Sequence, residues 1–539
     1  MNEDVTYKVL QEAVNCGARE FVVCPGSRNS SFVEALRLDE RLTTYYYPEE
    51  RSGAFFALGR SKNLSAPVAI VTTSGTAAAE LLPATMEAHY SGVPLILITA
   101  DRPQRFRGSG APQSAEQVGL FSRYVKKCLD VDYNTDFSLG QWDRRGPIHI
   151  NVCLDEPQKQ PKFQGRTIAI DTVVNKKLPG EVDHEREVLT QFFQQVERPI
   201  AIVSTLEQQD REAVVGLLKE LKMPVLLEGI SGLRGDRQLS SYEIIRTDDI
   251  FKTAERSGYA IDGVLRIGGV PTHRIWRDLE YLEEKVKVCS LSKQPFSGLS
   301  WNRRVASGSI STILNGYHPP SSFSTAGAER WLQEERMFNE RLDALFDEEP
   351  SAEPSILRAL SSHIPKSAFI YLGNSLPIRE WDLAAVRGEK NWTLAANRGV
   401  NGIDGQISTF LGMCGQGREN WAIIGDLTAL YDLAGSWIIP QIEPCKITIV
   451  VINNGGGMIF KRMYPHREML NEHHLSFRPL ADMWGLDYQC LQKFDGTLGS
   501  GTKRLIELIP DEASTTRFWK KYDERERSEN KLMAEERVE

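Results

Sequence analysis

The sequence of 539 residues lacks any apolar run as long as a membrane-spanning helix, which needs about 20 residues. Its longest apolar runs, such as Pro94 to Ala100 and Ile447 to Ile452, have the length of buried strands, so we expect no membrane span. Basic residues are also outnumbered, with 64 Lys and Arg against 72 Asp and Glu and a net charge of −8. This balance argues against a general nucleic-acid or anionic-membrane binder, which needs a basic surface.

The chain also lacks a paired cysteine motif and a secretory signal. Its eight cysteines are scattered from Cys16 to Cys490 without a CxxC pair, which indicates reduced core thiols and not a disulfide framework or a zinc site. The acidic amphipathic start MNEDVTYKVLQEAV lacks the basic and apolar regions of a signal peptide, so a cytoplasmic protein is expected. The remaining composition, 41% hydrophobic and 25% charged, is ordinary for a globular protein.

Short apolar runs alternate with helical stretches over the first 155 residues. Phe21 to Cys24, Pro67 to Val71 and Leu95 to Ala100 are predicted strands, and Ala77 to His89 is predicted as one helix. Strands separated by helices of this length indicate βαβ units and a parallel sheet. Ligands of such sheets bind at the loops after the carboxyl ends of the strands, and the segments PGSR, PEER, TSGT and ADRP lie there.

The same alternation recurs twice more, so the predicted fold class is α/β with three consecutive parallel-sheet domains. A polar, proline-containing stretch indicates a linker before the second domain, and the loop-forming segment 316–328 marks a further boundary. The predicted organisation is a first domain at 1–157, a linker at 158–195, a central domain at 196–328 and a third domain at 329–539.

The most informative motif is formed by two loops of the third domain. Gly425 and Asp426 follow one predicted strand and open a helix, and Asn454 with the glycines 455–457 follows the next strand, 28 residues after Asp426. One crossover of this length can bring the side-chain oxygens together at one edge of the sheet. A carboxylate, an amide oxygen and the Gly456 carbonyl are hard ligands that suit Mg²⁺ with a diphosphate. Taken separately, each loop is equally compatible with a helix cap or a turn.

This pair of loops resembles the metal- and diphosphate-binding signature of thiamin diphosphate enzymes, a Gly-Asp-Gly opening and a closing Asn-Asn. Leu427 replaces the third residue, which fits a subfamily with the signature GDL-S/T-x-L-x-D. The resemblance implies that Glu50, in YYYPEERSGAFFALG, is the catalytic carboxyl group that hydrogen-bonds the pyrimidine ring of the cofactor. Glu49 is expected to be a helix N-terminal charge.

Four segments in chain order narrow the resemblance, namely CPGSRNSSFVEAL, TTSGTAAAELLPATMEAHYSGVPLILITADRP, NRGVNGIDGQISTFLG and GDLTALYDL. They are similar to the family of thiamin diphosphate transferases that form 2-succinyl-5-enolpyruvyl-6-hydroxy-3-cyclohexene-1-carboxylate in menaquinone biosynthesis. The resemblance covers the first and third domains and is weak in the central domain. It implies that 2-oxoglutarate and isochorismate are combined with release of CO₂. It also implies a homodimer or a dimer of dimers, because domains of different subunits share one cofactor in this fold group.

The resemblance further implies three sets of site residues. The cofactor-binding residues are Glu50, Thr73, Ser74, Gly75, Ser375, Ile403, Gly425, Asp426, Leu427, Asn454, Gly456 and Ile459. The ligands of Mg²⁺ or Mn²⁺ are Asp426, Asn454 and Gly456. The substrate-binding residues are Arg28, Arg102, Gln113, Arg274, Ser375, Arg379, Arg398 and Phe460. Because a guanidinium group matches a carboxylate in bidentate geometry, several arginines suit two substrates that each carry carboxylates.

Two alternatives remain open from the residues. One is another thiamin diphosphate enzyme, such as a 2-oxo acid decarboxylase or an acetohydroxyacid synthase-like carboligase. The other is a nucleotide-binding or regulatory protein that has the fold without catalysis. The adjacent His473 and His474 lack a metal-type partner four residues away and are expected at a polar surface or pocket rim.

Overall fold

The computed structural model describes residues 2–156, 165–170, 182–320, 323, 327–464 and 466–535. These residues form three sheets, and each sheet has six parallel strands with helices between them. The predicted α/β class with three parallel sheets is therefore confirmed. The sheets extend over residues 20–153, 199–307 and 369–508, within the three predicted domains. The domain boundaries themselves stay predictions.

The first sheet has the strand order β2-β1-β3-β4-β6-β5. Its strands are β1 (Glu20–Val23), β2 (Thr43–Tyr46), β3 (Val68–Thr72), β4 (Leu95–Asp101), β5 (Cys128–Val131) and β6 (Ile148–Cys153). Its helices are α1 (Asn2–Asn15), α2 (Ser30–Arg37), α3 (Glu50–Leu64), α4 (Thr76–Ala79) and α5 (Leu82–Ser91). Every residue of β3 and β4 is buried, as expected for central parallel strands that helices cover on both faces.

The second sheet has the strand order β12-β11-β10-β7-β8-β9. Its strands are β7 (Pro199–Val203), β8 (Val225–Leu227), β9 (Glu243–Ile244), β10 (Gly263–Ile267), β11 (Lys287–Ser292) and β12 (Val305–Ser307). Its helices are α6 (Asp183–Phe193), α7 (Arg211–Leu221), α8 (Ile250–Arg256), α9 (Ile275–Asp278) and α10 (Ile310–Leu314). Hydrophobic clusters lie on both faces of this sheet.

The third sheet has the strand order β14-β13-β15-β16-β18-β17, which repeats the order of the first sheet. Its strands are β13 (Phe369–Leu372), β14 (Thr393–Ala395), β15 (Glu419–Gly425), β16 (Lys446–Ile452), β17 (Asp487–Leu491) and β18 (Lys503–Leu508). The helices of this region are α11 (Ala328–Glu348), α12 (Glu353–His363), α13 (Leu376–Ala384), α14 (Gln406–Met413), α15 (Asp426–Tyr431), α16 (Arg478–Trp484) and α17 (Glu512–Glu535).

The chain divides into two compact units. The first unit comprises residues 1–178, 397–417 and 427–446, and the second comprises 179–396, 418–426 and 447–539. The first unit therefore includes α14 and the segment after Asp426, although both follow strands of the third sheet in sequence. In the first unit, α14 packs closely on α3 at two glycines. A Cβ at Gly59 would lie 2.2 Å from the Thr409 carbonyl oxygen, and a Cβ at Gly412 would lie 2.3 Å from the Phe56 carbonyl oxygen.

Two predicted segments differ from the structure. The described part of the predicted linker 158–195 contains α6, whose Leu189, Phe192 and Phe193 are buried in the second core. These side chains recur at helical spacing, so that part is a helix and not a linker. The single helix predicted from Ala77 to His89 is instead α4 followed by α5.

Two further findings concern the cysteines and the membrane. None of the eight cysteines, all within the described part of the chain, forms a disulfide bond; six of them are buried, and Cys128 and Cys490 are exposed. Among the described helices, none has both the length and the apolar character that crossing a membrane requires.

Candidate active site

The point where the strand order of the third sheet reverses lies between β13 and β15, and such points bind ligands in open α/β sheets. The loop after β13 passes directly over β15, since a Cβ at Gly373 would lie 2.9 Å from the Cα of Ile424. Ser375, which precedes α13, has φ 72°, an unfavourable angle for a residue with a side chain. Asp426 follows β15 at the same edge and is buried.

Asp426 is fixed by the glycine loop that follows β16. Its Oδ2 atom accepts the backbone N–H groups of Gly455 and Gly456, each at 2.9 Å. Gly456 has φ 143°, and a Cβ there would lie 2.5 Å from the Leu470 carbonyl oxygen. Glycine is therefore required at position 456. The two loops predicted from their spacing meet at one edge of the sheet.

The residues present fit a divalent cation. Asp426, Asn454 and Gly456 offer a carboxylate, an amide oxygen and a carbonyl, which are hard oxygen ligands. The Oδ1 atom of Asn454 is buried, and no group in the described part of the chain donates a hydrogen bond to it. A buried acceptor without a donor is costly, and a bound cation would satisfy it.

His473 lies beside this group and is not singled out by sequence spacing. Its Nε2 atom is 3.3 Å from Oδ2 of Asp426, and its side chain is 11% exposed. The backbone N–H of His473 donates to the Gly455 carbonyl at 3.0 Å. The expected position at a pocket rim agrees with this burial. The sequence does not predict the contact with Asp426, because that contact depends on how the loop 470–473 packs on the glycines.

The remaining predicted residues of the second unit differ in their surroundings. The Arg379 guanidinium donates to the Ser375 carbonyl one helical turn before it. Ile459 and Phe460 lie in a short 3₁₀ turn directly after the glycine loop, and Phe460 is exposed. Arg274 precedes α9, its side chain is 75% exposed, and it pairs with Asp278 at 3.2 Å. The structure thus brings Ser375 and Arg379 together and leaves Arg274 at the surface of the second unit.

A buried cluster that the sequence does not predict connects the loop of Arg274 to α13. His273 Nε2 lies 2.8 Å from Asp382 of α13 and 3.9 Å from Glu228, which follows β8. Asp382 also accepts the Gly229 N–H at 2.5 Å. These contacts fix α13, the helix that carries Arg379.

In the first unit, Glu50 opens α3 and Glu49 caps it. The Glu49 carboxylate accepts the N–H groups of Arg51 at 3.1 Å and Ser52 at 2.8 Å. Glu50 is half-buried and makes no such cap. Burial raises the pKa of Glu50, with the negative charges of Glu49 and Glu80 adding to the effect. The pKa shift favours a carboxyl group that keeps or shares a proton.

The loops after β1 and β3 touch each other. A Cβ at Gly26 would lie 2.6 Å from the Cβ of Thr73. Gly75 has φ 86°, and its N–H donates to Oε1 of the buried Gln117 at 2.9 Å. Ser74, between them, is buried. Gln117 is a positioning side chain that the sequence does not distinguish from the nearby Gln113, which is exposed and has φ 56°.

Arg28 and Arg102 converge on one carboxylate. Arg28 donates to Glu156 at 2.7 Å and to the Leu154 carbonyl at 3.2 Å. Arg102 donates to the same Glu156 oxygen at 2.9 Å and to the Pro112 carbonyl at 3.0 Å. The Arg28 guanidinium lowers the pKa of Glu156, and Arg102 adds to the effect. Two arginines from different loops therefore already form a carboxylate site.

The segment around Arg398 is held by a buried glutamate. Glu87 accepts the N–H groups of Gly399 and Val400 at 2.9 Å, and Lys62 donates to Asn397 at 2.8 Å. Arg398 itself is half-buried.

Ile403 and Leu427 are both partly exposed. Ile403 lies in the turn before Gly405, where a Cβ would lie 1.9 Å from the Phe55 ring. The turn of Ile403 thus packs closely on α3.

The class of protein follows from this fold and from two comparisons. Residues 4–120 match the family model of the N-terminal thiamine pyrophosphate-binding domain of thiamine pyrophosphate enzymes. A solved structure from Mycobacterium smegmatis, described as a thiamin diphosphate-dependent enzyme, superposes with a TM-score of 0.67 at 15% identity. The superposition covers 95% of this chain and 99% of that one, which establishes the shared fold. The chain has the architecture of thiamin diphosphate-dependent enzymes.

Three relatives narrow the class, and each is named 2-succinyl-5-enolpyruvyl-6-hydroxy-3-cyclohexene-1-carboxylate synthase. The relative from Bdellovibrio bacteriovorus is 40% identical over 97% of this chain and 99% of its own length. The relative from Akkermansia muciniphila is 37% identical over 96% and 98%, and that from Bacillus pumilus is 30% identical over 84% and 82%. The chain belongs to the family of 2-succinyl-5-enolpyruvyl-6-hydroxy-3-cyclohexene-1-carboxylate synthases, and the resemblance found in the sequence is confirmed.

Proposed function

We propose that the protein combines 2-oxoglutarate with isochorismate, releases CO₂ and forms 2-succinyl-5-enolpyruvyl-6-hydroxy-3-cyclohexene-1-carboxylate for menaquinone biosynthesis. One observation carries the proposal most directly. Arg28 and Arg102 meet at a single carboxylate in a chain that is 40% identical to a synthase of this name. A site that already holds a carboxylate with two guanidinium groups suits substrates that carry several carboxylates.

Thiamin diphosphate supplies, when bound, a nucleophilic carbon and an electron sink for decarboxylation. We assign its diphosphate and a Mg²⁺ or Mn²⁺ ion to Asp426, Asn454 and Gly456, with Gly425 and Leu427 beside Asp426. The buried, donor-free oxygen of Asn454 supports this assignment. Ser74, Thr73, Gly75, Ile403, Ser375 and Ile459 complete the proposed cofactor contacts.

Glu50 is the proposed catalytic residue. It holds a proton at the pyrimidine ring of the cofactor, which requires a carboxyl group that is partly protonated at the working pH. Its half-buried position and raised pKa support this role. Glu49 has a different task, because its carboxylate is committed to capping α3.

The substrate residues fall into two proposed sets. Arg28, Arg102 and Gln113 are proposed to bind isochorismate, and the family resemblance assigns Arg274 to the same substrate. Ser375, Arg379 and Arg398 bind 2-oxoglutarate, and Phe460 provides an apolar contact. The fixed position of α13, through Asp382 and His273, supports the placement of Arg379.

We further propose that the protein acts as a homodimer or a dimer of dimers in the cytoplasm. Each active site would take Glu50 from one subunit and the metal group from another. The family resemblance supports this arrangement.

Product analysis tests the proposed function. The purified protein is incubated with 2-oxoglutarate, isochorismate, thiamin diphosphate and Mg²⁺, and the products are identified by mass spectrometry. We expect the named product together with CO₂, and neither when thiamin diphosphate is omitted. Faster CO₂ release from pyruvate than from 2-oxoglutarate would instead favour a different carboligase.

A further inference from the structure

A buried glutamate lies directly behind Asn454. The Nδ2 atom of Asn454 is 3.0 Å from both carboxylate oxygens of Glu353, the first residue of α12. Glu353 is 4% exposed, and its own backbone N–H donates to Thr515 at 3.0 Å. The contact joins residues 101 positions apart in the sequence.

This contact decides which way the Asn454 amide points. The two ends of an amide differ only in hydrogen-bonding character, and the neighbouring groups determine their assignment. The NH₂ end of Asn454 lies within hydrogen-bonding distance of both Glu353 oxygens, which accept from it, and the amide oxygen faces away. That oxygen is the buried Oδ1 atom to which no described group donates.

A second buried glutamate supports the first. Glu380 of α13 is 1% exposed and lies close enough to Glu353 for the charge of Glu353 to raise its pKa, and neither carboxyl oxygen of Glu380 has a hydrogen-bond partner in the described part of the chain. No Lys, Arg or His in the described part of the chain forms an ion pair with either glutamate. Two buried carboxyl groups in contact share a proton rather than both ionise. Burial raises the pKa of both glutamates, and that of Glu380 well above its usual range.

We propose that Glu353 is a positioning residue for the divalent cation, acting by turning the amide oxygen of Asn454 toward the metal. The inference rests on the proposed function, because it adopts the assignment of Asp426, Asn454 and Gly456 as ligands. Partners behind a metal ligand fix its orientation, and their loss commonly weakens metal affinity by about 10–100-fold. Glu353 acts through Asn454 without touching the ion.

The variant Glu353→Gln tests the proposal, since it retains the size of the side chain and presents an NH₂ group to Asn454. The amide of Asn454 is then free to turn its oxygen toward position 353 and its NH₂ group toward the metal, where it cannot act as a ligand. We expect the dissociation constant for Mg²⁺, measured by calorimetry with saturating thiamin diphosphate, to rise by about 10–100-fold. The thermal midpoint of the metal-free protein, measured in parallel, reports any loss of stability separately.

Glu380→Gln is the matched control. A glutamine at position 380 keeps the size of the side chain, removes the same charge as Glu353→Gln and leaves Glu353 in place beside Asn454. We expect its Mg²⁺ affinity to stay within about threefold of the wild-type value, a difference under about 0.7 kcal/mol. An equal loss in both variants would contradict the proposal, because it would indicate a general effect of disturbing the buried pair.

A double substitution provides a rescue. In E353Q/N454D, the NH₂ group introduced at position 353 donates to one oxygen of the new carboxylate and leaves the other for the metal. We expect this variant to bind Mg²⁺ at least tenfold more tightly than N454D alone, where two carboxylates face each other. This comparison decides the matter even if Glu353→Gln fails to fold.

The possible outcomes distinguish a failure of the proposed function from a failure of the proposed role of Glu353. If the wild-type protein shows no Mg²⁺-dependent binding of thiamin diphosphate, the proposed function itself is wrong. If the wild type binds but Glu353→Gln binds equally well, or if the double variant gains nothing over N454D, only the role of Glu353 is overturned.

Discussion

Glu49 and Glu50 show how neighbouring residues of the same type acquire different roles. The turn of the chain at the start of α3 points the Glu49 carboxylate back to the free N–H groups of Arg51 and Ser52, which is the usual task of an N-terminal capping side chain. Glu50 begins the helix and remains half-buried with a raised pKa. The sequence predicts Glu49 as an N-terminal charge of the helix, the structure shows that it caps the helix, and the role of Glu50 comes from the family motif.

We predict that Glu50→Gln lowers the turnover number by about 10²–10⁴-fold, because the proton at the cofactor ring is lost. Steady-state kinetics with both substrates measures the effect. Glu49→Gln is the matched control, and it should cost about 0.5–2 kcal/mol of stability through the weakened cap while leaving turnover within a few-fold. A Glu50→Gln enzyme with near-normal turnover would remove Glu50 from the mechanism.

The pair of Arg28 and Arg102 is the proposed carboxylate site for isochorismate. Arg28→Ala should weaken isochorismate binding by about 1.5–3 kcal/mol, the range for hydrogen bonds to charged groups, with little change in the KM for 2-oxoglutarate. Arg37→Ala, which removes an exposed arginine that pairs with Glu34 of its own helix, should change neither KM. An unchanged KM for isochorismate in Arg28→Ala would contradict the assignment.

Two glutamates that contact candidate site residues could not be predicted from the sequence. Glu156 meets Arg28 across 128 residues of sequence, and Glu353 meets Asn454 across 101. Neither glutamate belongs to a local motif, and a lone acidic residue in a sequence usually indicates a solvated surface. Only the folded chain brings them to their partners.

At the scale of elements, the packing of α3 on α14 depends on glycine. Gly59 and Gly412 let the two helices approach until a Cβ at either would meet a carbonyl of the other helix. Asp432 stabilises the same region, because its buried carboxylate accepts hydrogen bonds from the hydroxyl groups of Ser408 at 2.9 Å and Ser52 at 3.0 Å. Burial raises the pKa of Asp432 to about 6. The helix that carries Glu50 is therefore held along its length.

We predict that Gly59→Ala destabilises the protein by about 1–3 kcal/mol, because overpacking forces the two helices apart. Urea unfolding measures the change. Gly216→Ala is the control, since Gly216 lies within α7 and a Cβ there meets nothing within 4 Å. It should stabilise by about 0.5–1 kcal/mol through helix propensity. Equal effects of the two substitutions would show that close approach is not what Gly59 provides.

The elements themselves were largely predictable from the alternation of apolar runs, and the misses have local causes. The predicted helix from Ala77 to His89 breaks before Pro83, at the start of α5, because proline cannot donate to the carbonyl four residues earlier. The polar residues before α6 dominate the composition of its segment, so composition alone predicts a linker there.

At the scale of the whole molecule, the first and third sheets share one strand order, while the second has another. The spacing and length of apolar runs identify parallel strands, but they do not give the order of the strands within a sheet. The shared strand order of the first and third sheets therefore could not be predicted from the sequence. The strand order matters because, in the first and third sheets, loops that carry candidate site residues lie where the strand order reverses. Gly26 and Thr73 meet there in the first sheet, and Gly373 and Ile424 meet in the third.

Mixed dimers test whether an active site takes residues from two subunits. Glu50→Gln and Asp426→Ala should each be nearly inactive as homodimers, one for lack of the catalytic carboxyl group and the other for lack of a metal ligand. If Glu50 of one subunit serves the metal group of the other, a mixed dimer contains one site with both lesions and one intact site. Random assortment makes half of the dimers mixed, so roughly a quarter of wild-type activity should return on co-expression. If Glu50 and the metal group of a site came from the same subunit, every site in the mixture would carry one of the two substitutions, and no activity would return. The affinity-purified mixed dimer, assayed beside both homodimers, distinguishes the two arrangements.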